Sequence, residues 1–319
     1  MNRYLLIDGL LWLYWTVVRK VVQRLPVNVF YSLLGIIDYV SAHFFLFKRK
    51  DIERLLSQVF LYKYSKEEIA LIAKRSISQS MKRYVEELYM GVLTKETMSH
   101  IVEYENLHNL EKSIKHGKGT IVLLSHFGSY LMILPALGFS GYKINQLAGP
   151  PFIKKQRWIY RKIFYLRQQD YSGLPVRFLR SDLHLKETLK ALKDNELVAI
   201  AFDGRESAQW VEVSFFDKRA YFAPGPVKLA QKTGAAILPT FIIRKGDNTH
   251  TIVFEEPIYL NKSAASDNNG YLEEHMQRLA GIFEYYIGKY PCHFAAIMQT
   301  IEARYDKAIV DRPLFKRNN

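Results

Sequence analysis

From residue 106 onward, short apolar runs rich in β-branched residues alternate with longer amphipathic stretches, and this restricts the fold more than any other feature of the chain. Thr120 to Leu124 is too short for a helix and reads as a buried strand. Asn106 to His116 before it and Ser129 to Phe139 after it have helical periodicity. The pattern recurs with strands at Lys143 to Ala148, Val176 to Leu179 and Glu196 to Phe202, and a helix over Asp182 to Lys193. Pro150 and Pro151 open a further helix rich in Lys and Arg. Such alternation predicts an α/β fold, a mainly parallel mixed sheet flanked by helices. Beyond Val211 to Phe216, which reads as extended, Ala223-Pro224-Gly225-Pro226 opens a helix. Ala236 to Arg244 and Thr249 to Glu255 are strands joined at Gly246-Asp247-Asn248. A last helix from Tyr271 stops at Tyr290-Pro291.

The first hundred residues follow a different rule. Leu5 to Val18 is apolar apart from Asp8, Gly9 and Thr16, carries Trp12 and Trp15, and leads into Arg19, Lys20 and Arg24. It is short for a bilayer-spanning helix, which needs roughly 20 apolar residues, and no small-residue cleavage site follows it. The reading is a helix lying in or partly through a membrane interface; an amphipathic helix packed on the domain is the alternative. Val29 to Phe47 is a second apolar stretch, closed by Lys48-Arg49-Lys50, three cations suited to lipid phosphates. Ser65, with Glu68 three residues on, forms a capping box that opens a long helix through Met90. The chain therefore divides into a helical, membrane-associating region, 1–100, and an α/β region, 101–319.

Composition removes several function classes. One cysteine, Cys292, excludes an internal disulfide, and no Cys/His cluster suggests a metal. An excess of 45 Lys and Arg over 31 Asp and Glu gives +14 and calls for a polyanionic partner. Neither a base-stacking platform nor a recognition motif is present, which argues against nucleic acid. The aromatic-rich first third beside basic residues fits an anionic membrane.

His126 lies just past the carboxyl end of the Thr120 to Leu124 strand, where open α/β sheets bind ligands. A lone histidine in such a place is also often structural. Asp203, Arg205 and Glu206 follow the strand at Glu196 to Phe202 and can face the same crevice, or form a solvated loop. Ser129 is a weak nucleophile candidate, because Gly-x-Ser-x-Gly is absent.

Taken in order, several segments resemble the bacterial lipid A biosynthesis (lauroyl/myristoyl) acyltransferases and the related phosphatidylinositol mannoside acyltransferases. They are Gly117-Lys118-Gly119 with the strand and His126-Phe127-Gly128, Asp203-Gly204-Arg205, Val211 to Phe216, Pro224-Gly225-Pro226 with Leu229-Ala230, Thr233-Gly234-Ala235 and Tyr290-Pro291. The resemblance implies a glycerolipid-acyltransferase-like fold and a role in lipopolysaccharide biosynthesis at the cytoplasmic face of the bacterial inner membrane. The reaction it implies moves a fatty acyl group from an acyl carrier protein or CoA thioester to a hydroxyl of a glycolipid or lysolipid acceptor, with no cofactor. In that family a histidine, taking the acceptor proton, is followed after four residues by Asp or Glu; here that position is Leu131. Asp203 or Glu206 would then have to orient His126. Arg205 fits the family's charged loop and suits a phosphate or the oxyanion, Gly225 could offer a backbone N–H at a helix start, and Lys154, Arg157 and Arg161 could hold phosphates. Leu131 supports the alternative, a catalytically degenerate member of the same fold that binds lipid or scaffolds a complex.

Overall fold

In the computed structural model, residues 3–44, 46–60, 63–149, 157–260, 269–306, 310 and 312–316 are described. Seven strands form one sheet: β1 (Val102–Glu105), β2 (Thr120–Leu124), β3 (Ile144–Ala148), β4 (Val176–Arg180), β5 (Leu197–Ala201), β8 (Ala236–Arg244) and β9 (His250–Phe254). Their order is β1-β9-β8-β2-β5-β3-β4, and every neighbouring pair is parallel except β8 with β9. Strands β6 (Val211–Phe215) and β7 (Lys218–Phe222) make a separate antiparallel hairpin. The α/β expectation is met, and the strands read at 120–124, 143–148, 176–179 and 196–202 all form within a residue of those bounds.

Strand β2 is central and buried at every residue, as its unbroken apolar run requires. Alternate side chains serve opposite faces: Ile121 and Leu123 enter one apolar cluster, Val122 and Leu124 the other. The turn into β2 depends on Gly119, at φ +76°, where a Cβ would meet the Leu192 carbonyl oxygen at 2.5 Å. The sequence reading missed β1, β7 and the helix Ala295–Asp306. β1 and β7 are short and carry charged residues among their apolar ones, so their periodicity is weak.

The N-terminal third is helical throughout. A run from Arg3–Leu13 passes through a π-helical turn, Tyr14–Val18, into Arg19–Val22 and stops before Pro26; Val27–Leu33, Ile36–Phe44 and Leu46–Val59 follow. Lys48-Arg49-Lys50 does not close the second apolar helix. It lies inside Leu46–Val59, where no Gly or Pro interrupts and Ile52, Leu56 and Val59 face the core. Ser65 and Glu68 form the expected capping box on the helix Lys66–Tyr89. That helix gives Ile69, Ala73 and Ile77 to one cluster and Leu88 and Tyr89 to the other, so it ties the helical region to both faces of the sheet. Among the described residues no helix is long and apolar enough to cross a membrane.

Candidate active site

Register alone brings two of the predicted residues together. Strands β2 and β5 are adjacent and parallel with Leu124 opposite Ala201, so His126 and Asp203, each two residues further on, emerge side by side. The Phe202 N–H donates to the Leu124 carbonyl at 2.7 Å and extends the ladder into this turn. Asp203 accepts from the His126 backbone N–H at 3.1 and 3.2 Å, and its Oδ1 lies 3.0 Å from His126 Nδ1. A carboxylate only accepts, so Nδ1 carries a proton, and in the neutral ring Nε2 keeps its lone pair. Asp203 is 2% exposed, whereas the His126 side chain is 36% exposed. Burial alone pushes the Asp203 carboxyl up, but the His126 imidazole, its hydrogen bonds and Arg205 outweigh it and hold the carboxyl below its ordinary range.

The histidine loop is held from below. Gly128, at φ +57°, presses on β8, where a Cβ would meet the Ile242 carbonyl oxygen at 2.6 Å, and its N–H donates to the His293 carbonyl at 3.0 Å. Phe127 stacks on the His293 ring. Tyr130 sets its ring edge against His126, centroids 4.7 Å apart, and Arg83 lies 5.6 Å from the same tyrosine.

Leu131 follows in a short 3₁₀ turn and packs into apolar surroundings with Met90, Leu134 and Tyr171. The place of the missing carboxylate is thus apolar, while Asp203 occupies the imidazole nitrogen such a group would orient. Ser129 is not a poised nucleophile. It is buried, donates to Glu86 Oε2 at 2.5 Å and accepts from Arg244 Nη2 at 2.6 Å.

Of the other predicted residues that the structure describes, only Arg205 stays beside the pair. Arg205 is 8% exposed, donating Nε–H to the Asp203 carbonyl at 3.1 Å and Nη1–H to the Pro313 carbonyl at 3.2 Å, with Trp210 stacked 4.9 Å away. Its Nη2 has no hydrogen-bond partner among the described residues. Burial lowers its pKa to about 10, partly offset by Asp203, so it remains a cation at neutral pH. Glu206 is exposed and lies against Gly149 rather than His126. Gly225 opens the helix Gly225–Thr233 and is exposed. Arg157 pairs with Asp8 at 2.7 Å, and Arg161 is exposed on the helix Trp158–Ser172. Lys154 lies outside the described residues.

Sequence reasoning missed a buried charge network beneath the loop. Glu86 takes a two-pronged contact from Arg244, at 2.8 and 2.6 Å, and a bond from His250 Nε2 at 2.7 Å. Burial opposes ionisation of Glu86, but Arg244 and His250 hold its carboxyl far below the ordinary range. Burial lowers the His250 pKa, so the neutral ring donates Nε2–H to Glu86. One signal was present in the sequence: Arg244 is the only charge in a mostly apolar strand of nine residues, which it ends.

A parallel sheet that presents a half-exposed imidazole, oriented by a buried carboxylate at the adjacent strand end, has the geometry to take a proton from a hydroxyl and so to serve a group-transfer enzyme. The family profile for bacterial lipid A biosynthesis acyltransferase matches residues 2–300. The chain belongs to that family, acyltransferases that act on lipid A-like substrates. No curated protein matches it.

Proposed function

We propose that the protein moves a fatty acyl group from an acyl carrier protein or CoA thioester to a hydroxyl of a glycolipid or lysolipid, at the cytoplasmic face of the bacterial inner membrane. The observation that carries this reading is the His126–Asp203 pair with Nε2 left open. In the reaction, Nε2 removes the acceptor hydroxyl proton as the oxygen attacks the thioester carbonyl. Asp203 holds the ring in the right tautomer and stabilises the imidazolium. The tetrahedral intermediate then collapses, the C–S bond breaks, and the imidazolium returns its proton to the departing thiolate. The thioester is already activated, so the step calls for no metal or redox cofactor.

Arg205 is a positioning residue here: bonded to the Asp203 carbonyl and to Pro313, it fixes the carboxylate loop. Arg161 remains exposed and suited to a phosphate. Membrane association is supported by the N-terminal helix, where Leu5, Leu6 and Leu10 are 52% to 65% exposed. Because Asp203 fills the orienting place, the departure at Leu131 gives no reason to prefer a non-catalytic member. The test is acyl transfer from acyl carrier protein and CoA thioesters to extracted lipids, read by mass spectrometry of the product. Lipid binding without turnover from either donor would overturn the proposal.

A further inference from the structure

A helix facing water buries its apolar residues and exposes its charges. The helical run from Arg3 to Val22 departs from this, although Trp15 and Val22 are buried. Asp8 and Arg19 are buried, at 6% and 8%, while Leu5, Leu6, Leu10, Leu13, Val17 and Val21 are 45% to 65% exposed. Both buried charges turn to one partner element. Arg19 Nε donates to Asp170 Oδ2 at 2.7 Å, with a second short contact from Nη2 to Oδ1, and Asp8 pairs with Arg157 at 2.7 Å. Arg157 directly precedes the helix Trp158–Ser172 and Asp170 lies in its last turn, so the two helices run side by side in the same direction with an ion pair toward each end.

The outer face of Trp158–Ser172 extends the exposed apolar surface and changes its chemistry. Trp158, Arg161, Lys162 and Tyr165 lie at i, i+3, i+4 and i+7 and are all exposed, the two rings by 52% and 65%. Two aromatic rings a double turn apart with two cations between them suit the headgroup layer, where rings sit between chain and water and cations meet phosphates. A cationic chain of +14 makes an anionic surface the complementary one.

We infer that helix Trp158–Ser172 is a second membrane contact, seated in the headgroups of an anionic bilayer and locked by the two ion pairs to the N-terminal helix as one lipid-facing plate. This rests on the membrane-associated reading above and adds which side of the molecule meets the lipid. The same helix sends Arg167 inward to Glu87.

The test is flotation of the full chain with vesicles of phosphatidylglycerol and phosphatidylethanolamine, against vesicles of phosphatidylcholine alone. Each cation at an anionic surface contributes about a fivefold gain in partition. Arg161→Gln with Lys162→Gln should therefore weaken binding to the anionic vesicles by about 30-fold and leave the neutral ones unchanged. Trp158→Ser with Tyr165→Ser should weaken binding to both. The tryptophan emission lost in Trp158→Phe should be quenched by lipids brominated on the acyl chain. Wild-type binding by both double variants, or a Trp158 emission that brominated lipid leaves untouched, overturns the inference. A dimer in sedimentation equilibrium that Trp158→Ser with Tyr165→Ser dissolves would also overturn it, making a second copy the occupant. All these readouts are free of turnover, so failure of the acyl-transfer proposal would not be confused with failure here.

Discussion

Replacing Glu86 by Ala should destabilise the protein strongly. The side chains of Glu86 and Arg244 are 1% and 2% exposed, so water cannot take over the lost contact. Without the carboxylate, Arg244 keeps Ser129, Gln79 and the Asn248 carbonyl, all neutral, and His250 Nε2 loses its acceptor. Breaking a buried pair by removing one partner costs about 3–5 kcal/mol, because a charge is left uncompensated. At about 2.1 cal/mol/K per residue, 319 residues unfold with an entropy near 0.7 kcal/mol/K, so Tm should fall by about 5–8 °C. Thermal unfolding followed by far-UV circular dichroism reads this directly. Glu86→Leu with Arg244→Met should recover most of the loss, since apolar residues replace a desolvated pair at little net cost. A fall below about 1 °C in Glu86→Ala would refute the reasoning, for it would mean that Arg244 is solvated in the native protein.

Arg205→Lys preserves charge but cannot hold the Asp203 and Pro313 carbonyls with a planar fork; kcat should fall by up to about 100-fold with KM nearly unchanged, and wild-type kcat would remove Arg205 from the positioning role. Leu131→Glu should bring no gain in turnover and a loss of about 1–3 kcal/mol in denaturant titration, because the carboxylate enters an apolar cluster; a faster enzyme would contradict the assignment of Asp203. Burial, with Arg244 and His250 nearby, depresses His293 from 6.5 to about 3. The folded value lies below the unfolded one, so the stability this neutral ring carries is complete above pH 6.5 and is lost as pH falls from there towards 3, by about 1.4 kcal/mol per unit. Denaturant titrations at pH 7, 6 and 5 should show stability falling in the wild type, with a share from His250, whose pKa burial also lowers, and a shallower fall in His293→Gln; equal slopes would contradict the buried neutral ring.

Much of the α/β architecture could be read from residue order because β2 and β5, in the middle of the parallel sheet, appear as isolated apolar runs, and the more polar β3 and β4 are set apart by helical stretches on either side. The pairing of His126 with Asp203 was half legible: both follow strand ends, but only the register of β2 on β5 decides between Asp203 and Glu206, and register is a tertiary property. Arg205 was misleading for the same reason. Asp-Gly-Arg-Glu looks like a solvated loop, yet Trp210 stacks beside the guanidinium and Pro313, 108 residues away, bonds it. Asp8 and Arg19 read as interruptions of an apolar segment, whereas each turns inward to a partner about 150 residues distant. Glu86 gave no signal, since a glutamate on an amphipathic helix is ordinarily on its wet face.

Single-turnover acyl transfer by His126→Ala, Asp203→Asn and the double variant tests the central claim most directly. Removing the orienting carboxylate of a triad costs about four orders of magnitude. Asp203→Asn should therefore slow the step by about 10³- to 10⁴-fold, His126→Ala by at least as much, and the double variant by no more than His126→Ala alone, because the two residues act as a unit. An Asp203→Asn enzyme within about threefold of wild type, or losses that multiply in the double variant, would show that His126 and Asp203 do not form the catalytic pair.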